Sequence, residues 1–252
     1  MAENTQQRLS EIKSRLCAAC DLVDRDSSEV ELVAVSKRFP AEAVQLAYDA
    51  GQRIFGESRV QELLEKAPIL PKDIEWHFIG RLQKNKVRKA LSVCHTLHSI
   101  DSIDLAVAVD RIAREEGCKV KIYLQTNLAE EASKAGFTRS SLLEALDQLR
   151  ALENVTILGL MAIPPNRDNE SNSRRDFAAI RKLREELQTE HQFELPKLSI
   201  GMSADFEIAI EEGVKQENIM MGPGSSDLLE KTAMVLFQNG GNIVSAEPTT
   251  IG

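Results

Sequence analysis

The stretch Glu31-Leu-Val-Ala-Val-Ser-Lys37 contains a short apolar run that is followed by a single lysine. A strand of a parallel sheet is covered on both faces, so its sequence is continuously apolar instead of alternating. Residues 32–35 have this pattern. Lys37 would then lie at the carboxyl end of the strand, where α/β folds place their functional residues. The alternative is a solvated strand end, since lysine is rarely buried.

Similar strands recur along the chain and alternate with helices. An amphipathic helix at about 4–22 precedes the first strand, and further strands are predicted at 53–55, 74–79, 96–100, 119–127, 155–161, 197–200 and 218–221. Helices are predicted between them at about 41–50, 59–67, 85–93, 102–117, 140–152, 174–190 and 206–212. Alternation in units of roughly thirty residues indicates β-α-β crossovers and a parallel sheet.

Eight such units are enough to close a barrel. We therefore predict an α/β protein with a single (β/α)8 TIM-type barrel and an extra N-terminal helix, and an open doubly wound sheet is the alternative. No Gly-x-Gly-x-x-Gly motif follows the first strand, so a dinucleotide-binding fold would lack its phosphate loop. We expect residues 1–238 to form one domain and the polar, turn-rich residues 239–252 to form a flexible tail.

The composition argues against several functions. A formal net charge of -8 is unfavourable for binding nucleic acid, which normally requires a basic face. No apolar run is long enough to cross a bilayer, and residues 1–8 lack the apolar core of a signal peptide. We therefore expect a soluble, cytoplasmic protein without a membrane partner. His95, His98 and His191 show no ligand spacing with Cys, Asp or Glu, so we expect no metal site.

Two loops near the end of the chain are candidates for binding a phosphate group, because barrels often bind phosphate after strands seven and eight. They read Gly201-Met-Ser-Ala-Asp205 and Gly222-Pro-Gly-Ser-Ser226. Gly201 would allow close backbone approach, Ser203 offers a hydroxyl, and the first amides of the next helix would be free donors. The alternative is that Ser203 is only a helix N-cap.

Three other polar residues have no assigned role in this site. Glu57 and Asp205 are expected at the mouth of the barrel, but nothing in the sequence pairs them as an acid and a base. His77 lies inside a strand and is expected to be a core histidine with satisfied hydrogen bonds.

A lysine at one strand end and a phosphate site at two others indicate a site for a phosphorylated aldehyde. Pyridoxal 5′-phosphate is the obvious occupant. A lysine amine attacks an aldehyde only when it is unprotonated, so the site must lower a pKa of about 10.4 by desolvation or a nearby cation.

Three functional hypotheses follow: a pyridoxal-phosphate carrier or regulator without turnover, a racemase-like enzyme, and a phosphosugar-binding barrel enzyme. A two-base racemase needs a second proton donor opposite Lys37. The only tyrosines are Tyr48, in a predicted helix, and Tyr123, in a predicted strand. The carrier is therefore the favoured hypothesis.

The chain resembles the pyridoxal-phosphate homeostasis protein family over roughly residues 11–213. The matching stretches are Leu32-Val-Ala-Val-Ser-Lys37, Phe55-Gly-Glu-Ser-Arg-Val-Gln-Glu62, Trp76-His-Phe-Ile-Gly80, Leu82-Gln83, Asn85-Lys86, Gly159-Leu-Met161 and Gly201-Met-Ser-Ala-Asp-Phe206. The resemblance implies a barrel similar to the N-terminal domain of alanine racemase that binds pyridoxal 5′-phosphate. It also implies a non-catalytic role in vitamin B6 and amino-acid homeostasis, with a monomeric chain and apo forms of pyridoxal-phosphate enzymes as candidate partners.

The resemblance also implies which residues bind the cofactor. Lys37 would form the Schiff base and Ser203 would bind the phosphate, with Gly201, Met202 and Met161 as further cofactor-binding residues. One segment departs from the family pattern, beginning at about residue 214. Where the family has Val-Arg-Ile-Gly-Ser/Thr running into Ile-Phe-Gly, this chain has Glu217-Asn-Ile-Met-Met-Gly-Pro-Gly-Ser-Ser226. Gly222, together with Ser225, is the candidate substitute in the phosphate site.

Overall fold

The computed structural model describes residues 2–128, 135–163, 169–213 and 219–220. Within this part of the chain, strands and helices alternate after an N-terminal helix. The strands are β1 (Ala34–Val35), β2 (Ile54–Glu57), β3 (Glu75–Phe78), β4 (Thr96–Ile100), β5 (Val120–Gln125), β6 (Val155–Met161), β7 (Lys197–Ser199) and β8 (Ile219–Met220). The helices are α1 (Ala2–Asp21), α2 (Ala41–Asp49), α3 (Val60–Lys66), α4 (Val87–Leu91), α5 (Ile103–Glu116), α6 (Arg139–Arg150), α7 (Glu170–Thr189) and α8 (Phe206–Glu212). Short 3-10 helices span Ser27–Glu29, Ala67–Ile69 and Lys84–Lys86.

The described strands form one sheet in which each strand pairs in parallel with the next, in the order β1 to β8. The sheet is curled, as is shown by contacts between side chains of strands that are distant in the strand order. Nδ1 of His98 in β4 lies 2.7 Å from Oγ of Ser199 in β7. Nζ of Lys197 in β7 donates to Glu31, just before β1, at 2.8 Å. The predicted (β/α)8 barrel is therefore confirmed, and the open doubly wound alternative is wrong.

The predicted extra N-terminal helix is α1, and it packs against α8. Leu16, Ala19 and Cys20 are buried on the inner face of α1 and join the main apolar core. On its outer side, the guanidinium of Arg15 lies 4.7 Å from the ring centroid of Phe206 and pairs with Glu207 at 2.5 Å. These contacts attach α1 to the last described helix, next to the loop that follows β7.

Several element boundaries differ from the predicted ones, among them those of the first strand and of α7. The first strand covers only Ala34–Val35, the last two residues of the apolar run, and the chain enters a turn at Lys37 after Ser36. Helix α7 begins four residues earlier than predicted, at Glu170, because the side chain of Asn169 accepts a hydrogen bond from the amide of Ser171 and caps the helix.

The interior of the barrel has distinct levels. A small apolar cluster of Val33, Tyr123 and Met161 is separate from the main apolar core. Ion pairs lie at the amino ends of the strands, where Lys197 pairs with Glu31 and Lys121 lies 3.8 Å from Glu75. Barrels of this kind form their ligand sites at the opposite, carboxyl ends of the strands.

The predicted tail at 239–252 lies outside the described residues. Within those residues, no helix combines the length and apolar character that crossing a bilayer requires.

Candidate functional site

Lys37 lies in the turn that follows β1, at the carboxyl end of the barrel, and is partly buried. The amide of Ser36 donates to the carbonyl of Gly56 at 2.9 Å, which extends the pairing with β2 by one residue. The amide of Phe39 then donates to the carbonyl of Ser36 at 3.1 Å and closes the turn. The lysine is thus held immediately after the last paired residue of the strand.

The loop between β7 and α8 has a compact and specific shape. Gly201 is buried and has φ of +84°, and a Cβ there would lie 2.9 Å from Cβ of Ala209. Oδ1 of the buried Asp205 accepts a hydrogen bond from the amide of Met202 at 2.7 Å. The side chain of Asp205 makes no capping hydrogen bond to α8, although Asp205 occupies the N-cap position. The loop is therefore closed by a local contact and does not use this carboxylate to cap the helix.

Ser203 is at the centre of this loop. Its Oγ is buried and has no hydrogen-bond partner among the described residues. A buried hydroxyl without a partner costs about 1–3 kcal/mol, so such groups usually mark a place where a water, an ion or a ligand belongs. The alternative that Ser203 is only the N-cap of α8 is wrong, because Asp205 holds that position.

The remaining predicted site residues lie around the same end. Met161 ends β6, is buried, and packs with Val33, the residue before β1, and with Tyr123 of β5. Met202 is buried beside Ser203. Lys37, Met161 and the 201–203 segment all follow or end parallel strands, so they share the carboxyl end of the barrel. Gly222 lies outside the described residues.

Two buried charged residues next to Lys37 were missed as a pair by sequence reasoning. Glu57 is completely buried, and its Oε1 accepts hydrogen bonds of 2.7 Å from both Nζ of Lys66 and Oγ of Ser36. Burial raises the pKa of Glu57, and the hydrogen bonds from Lys66 and Ser36 oppose that rise. The only signal in the sequence is that Lys66 follows Glu62 by one helical turn.

A second polar network crosses the barrel interior. The imidazoles of His77 and His98 are hydrogen bonded to each other at 3.0 Å, and His98 also reaches Ser199. His98 stacks on Tyr123 with ring centroids 4.6 Å apart. Burial, with a smaller effect of His77, lowers the pKa of His98 well below its usual value. The expectation that His77 is a core histidine with hydrogen-bond partners is confirmed, but sequence reasoning did not identify His98 as its partner.

A partly exposed cluster near the end of α7 was not expected from the sequence. Glu186, Glu190 and His191 each offer a ligand atom within 4.8 Å of the others. The prediction that His191 has no ligand spacing with a carboxylate is therefore wrong. Nε of Arg139 donates to Glu186 at 3.0 Å. Acidic groups at the surface are often this close together without a metal ion, so the cluster is not by itself evidence of a metal site.

The comparison with known proteins agrees with this arrangement. Residues 9–223 match the family of alanine racemase N-terminal domains. Over 211 residues the chain is 40% identical to the pyridoxal phosphate homeostasis protein of Aquifex aeolicus, which covers 83% of this chain and 92% of that protein.

Solved structures give the same result. The structure of PipY from Synechococcus elongatus with pyridoxal phosphate bound has a TM-score of 0.74 at 39% identity, over 86% of this chain and 97% of that chain. An alanine racemase of Clostridium difficile has the same fold with a TM-score of 0.69 at 14% identity, over 95% of this chain and 60% of the racemase. The chain belongs to the alanine racemase N-terminal domain family and, within it, to the family of pyridoxal phosphate homeostasis proteins.

Proposed function

We propose that this protein binds pyridoxal 5′-phosphate and acts in intracellular pyridoxal-phosphate homeostasis as a carrier or regulator. The name of the Aquifex relative and the bound cofactor in PipY support this function. The observation in this chain that carries it is the buried Oγ of Ser203, which has no partner in the described residues and lies in a loop at the same end of the barrel as Lys37. A phosphate oxygen is a suitable acceptor for that hydroxyl.

The cofactor-binding residues that we propose are Lys37, Ser203, Gly201, Met202, Met161 and Gly222. When bound, pyridoxal phosphate supplies an aldehyde that a lysine amine can attack reversibly. Lys37 is the proposed amine because it is held at the carboxyl end of β1. Gly201 lets the loop pack closely against Ala209 and Phe206 of α8, which sets the position of Ser203. Ser203 is the proposed donor to the phosphate, and the buried methionines are proposed to form the apolar side of the site.

We propose further that the protein does not catalyse turnover. A racemase needs a second proton donor, and neither tyrosine is suitable for that role. The hydroxyl of Tyr48 donates to Asp73 at 2.7 Å on the exposed surface. Tyr123 is fully buried, and burial raises the pKa of its hydroxyl above the usual value. The runner-up remains a racemase-like enzyme that uses Lys37 as one base.

Two measurements test these proposals. The purified protein should acquire visible absorbance with pyridoxal phosphate, and borohydride should remove it while fixing the cofactor to the peptide that contains Lys37. A protein that stays colourless and unlabelled contradicts the assignment of pyridoxal phosphate as the ligand.

Exchange of the α-proton of several amino acids in deuterated water distinguishes a carrier from an enzyme. Rapid exchange that depends on Lys37 would establish the racemase-like alternative.

Three further properties belong to the same proposal. Residues 1–238 act as one domain, the protein is a monomer in the cytoplasm, and its macromolecular partners are apo forms of pyridoxal-phosphate enzymes. Sedimentation at several concentrations tests the oligomeric state. Transfer of labelled cofactor to an apo enzyme, compared with free diffusion through a membrane, tests the partnership, because direct transfer requires contact between the two proteins.

A further inference from the structure

Lys37 occupies the second position of a tight turn formed by residues 36–39. Arg38, at the third position, has φ of +66°. A positive φ at the third residue is characteristic of a type II turn and usually requires glycine. A side chain as large as arginine is strained there, and such a conformation persists only where its surroundings hold it.

Two side chains of α3 anchor the backbone on both sides of Lys37. Nζ of Lys66 donates to the carbonyl oxygen of Ser36 at 2.8 Å. The amide of Arg38 donates to Oε2 of Glu62 at 2.7 Å. These two backbone groups belong to the peptide units before and after the α-carbon of Lys37. Together they fix the direction in which the Lys37 side chain leaves the backbone.

Glu57 directs Lys66 to its backbone target. Oε1 of Glu57 accepts from both Nζ of Lys66 and Oγ of Ser36, and Lys66 also lies 3.5 Å from Glu62. A buried ion pair is weak support for stability, since apolar residues of similar volume often stabilise a core as well or better. The pair therefore calls for another explanation, and its contacts with Ser36 provide one.

The orientation of the turn agrees with this explanation. The hydroxyl of Ser36 faces Glu57 and α3, outside the sheet. Ser36 is the last residue that pairs with β2, and Lys37 follows it as the first central residue of the turn. Glu57, Glu62 and Lys66 are directed at the backbone or at one another, so they act on the lysine through the turn.

We infer that Glu57, Glu62 and Lys66 are positioning residues that hold the Lys37 amine in the orientation needed to react with the aldehyde of a bound cofactor. The inference rests on the proposed role of Lys37. Reaction requires the two atoms to be aligned at about 3–3.5 Å, so a small rotation of the turn lowers the rate without changing the phosphate contacts.

The first experiment compares Lys66→Met with a surface control, Lys89→Met. The rate at which pyridoxal phosphate becomes fixable to Lys37 by borohydride is measured beside the affinity for pyridoxine 5′-phosphate, which has an alcohol in place of the aldehyde. Loss of the charge-assisted hydrogen bond from Lys66 to the carbonyl of Ser36 should slow fixation by about ten- to a hundredfold. The affinity for the alcohol should change by about twofold at most. The control should match the wild type.

The second experiment tests the other side of the turn without cofactor. Glu62→Ala should accelerate hydrogen exchange of the Arg38 amide, and it should slow fixation in the same way as Lys66→Met. Adding Arg38→Gly should restore part of the fixation rate, because glycine adopts a positive φ without strain. If Glu62→Ala slowed fixation only by destabilising the fold, Arg38→Gly would not restore the fixation rate.

The outcomes of these experiments distinguish failure of the positioning role from failure of the proposed function. Wild-type fixation rates in folded variants would overturn the inference, and so would an equal loss of affinity for pyridoxine 5′-phosphate. If Lys66→Met does not fold, Glu57→Gln/Lys66→Met removes the unpaired buried charge and is measured instead. A wild-type protein that binds neither compound would refute the proposed function. Unchanged exchange of the Arg38 amide in Glu62→Ala would refute the anchoring itself.

Discussion

Nε2 of His98 lies 3.0 Å from Nδ1 of His77 inside the barrel, and both imidazoles are buried. Nε2 of His77 continues the chain to Oε1 of Glu75 at 3.2 Å, and Nδ1 of His98 continues it to Ser199. The hydrogen bond from His77 lowers the pKa of Glu75, so this carboxylate is ionised near neutral pH and can only accept. Because Glu75 can only accept, it determines the donor and the acceptor of every hydrogen bond in this network.

The first prediction concerns these tautomers. With Glu75 as acceptor, neutral His77 carries its proton on Nε2 and accepts at Nδ1 from Nε2–H of His98, whose Nδ1 accepts from Ser199. Nitrogen NMR at about pH 8 should therefore find the single proton of each neutral imidazole on Nε2. The exposed His95 and the partly exposed His191 provide reference signals from the same sample. A proton on Nδ1 of His98 would show that the donors and acceptors of this hydrogen-bond network are reversed.

The second prediction is a dependence of stability on pH. The pKa of His98 is lowered in the folded protein, so the unfolded chain binds the extra proton first. The stabilising contribution is present above the unfolded pKa of about 6.5 and is lost as the pH falls toward the folded pKa, by up to about 1.4 kcal/mol per pH unit.

Urea unfolding from about pH 7.5 down to about pH 5.5 measures this slope across the unfolded histidine pKa. His98→Asn should reduce the slope by about one proton, because asparagine does not titrate. An equal slope in both proteins would mean that other groups cause the pH dependence. The polar and titratable groups near His98 are His77, Tyr123 and Ser199, and Glu75 lies beyond His77 in the same network. Because salt screens the charges of such groups, the variant and the wild type are measured at the same salt concentration.

Sequence reasoning was successful where one local pattern decides the structure. The bounds of β4, β6 and α8 were predicted from apolar runs and their flanking turn residues. The position of Lys37 at a strand end followed from the same pattern. The contact between His98 and Ser199 joins residues 101 positions apart, and that between Lys66 and Ser36 joins residues 30 apart. Such pairs depend on how the barrel closes, and no local spacing encodes them.

The third prediction separates backbone strain from close packing in the proposed phosphate loop. Gly201 and Gly117 both have positive φ, but a Cβ at Gly117 meets nothing within 4 Å, whereas one at Gly201 meets Ala209 and Phe206. Gly117→Ala should cost about 1–2 kcal/mol for the left-handed conformation. Gly201→Ala should cost about 1–3 kcal/mol more, because the neighbours must move. Only Gly201→Ala should also weaken cofactor binding, and equal effects on binding would exclude a local role for this loop.

The last prediction separates the covalent and phosphate contributions to cofactor binding. Lys37→Ala should abolish the visible absorbance that forms with pyridoxal phosphate, while weak binding persists through the phosphate loop. Ser203→Ala should leave the absorbance but require a higher cofactor concentration to reach it. A hydrogen bond to a charged group contributes about 1.5–3 kcal/mol, so the affinity should fall by roughly ten- to a hundredfold.

Ser92→Ala is the matched control for Ser203→Ala, since the exposed hydroxyl of Ser92 donates to the carbonyl of Lys89 on the outside of the barrel. Titration by absorbance and by equilibrium dialysis measures both contributions, and an unchanged affinity in Ser203→Ala would mean that the phosphate binds elsewhere.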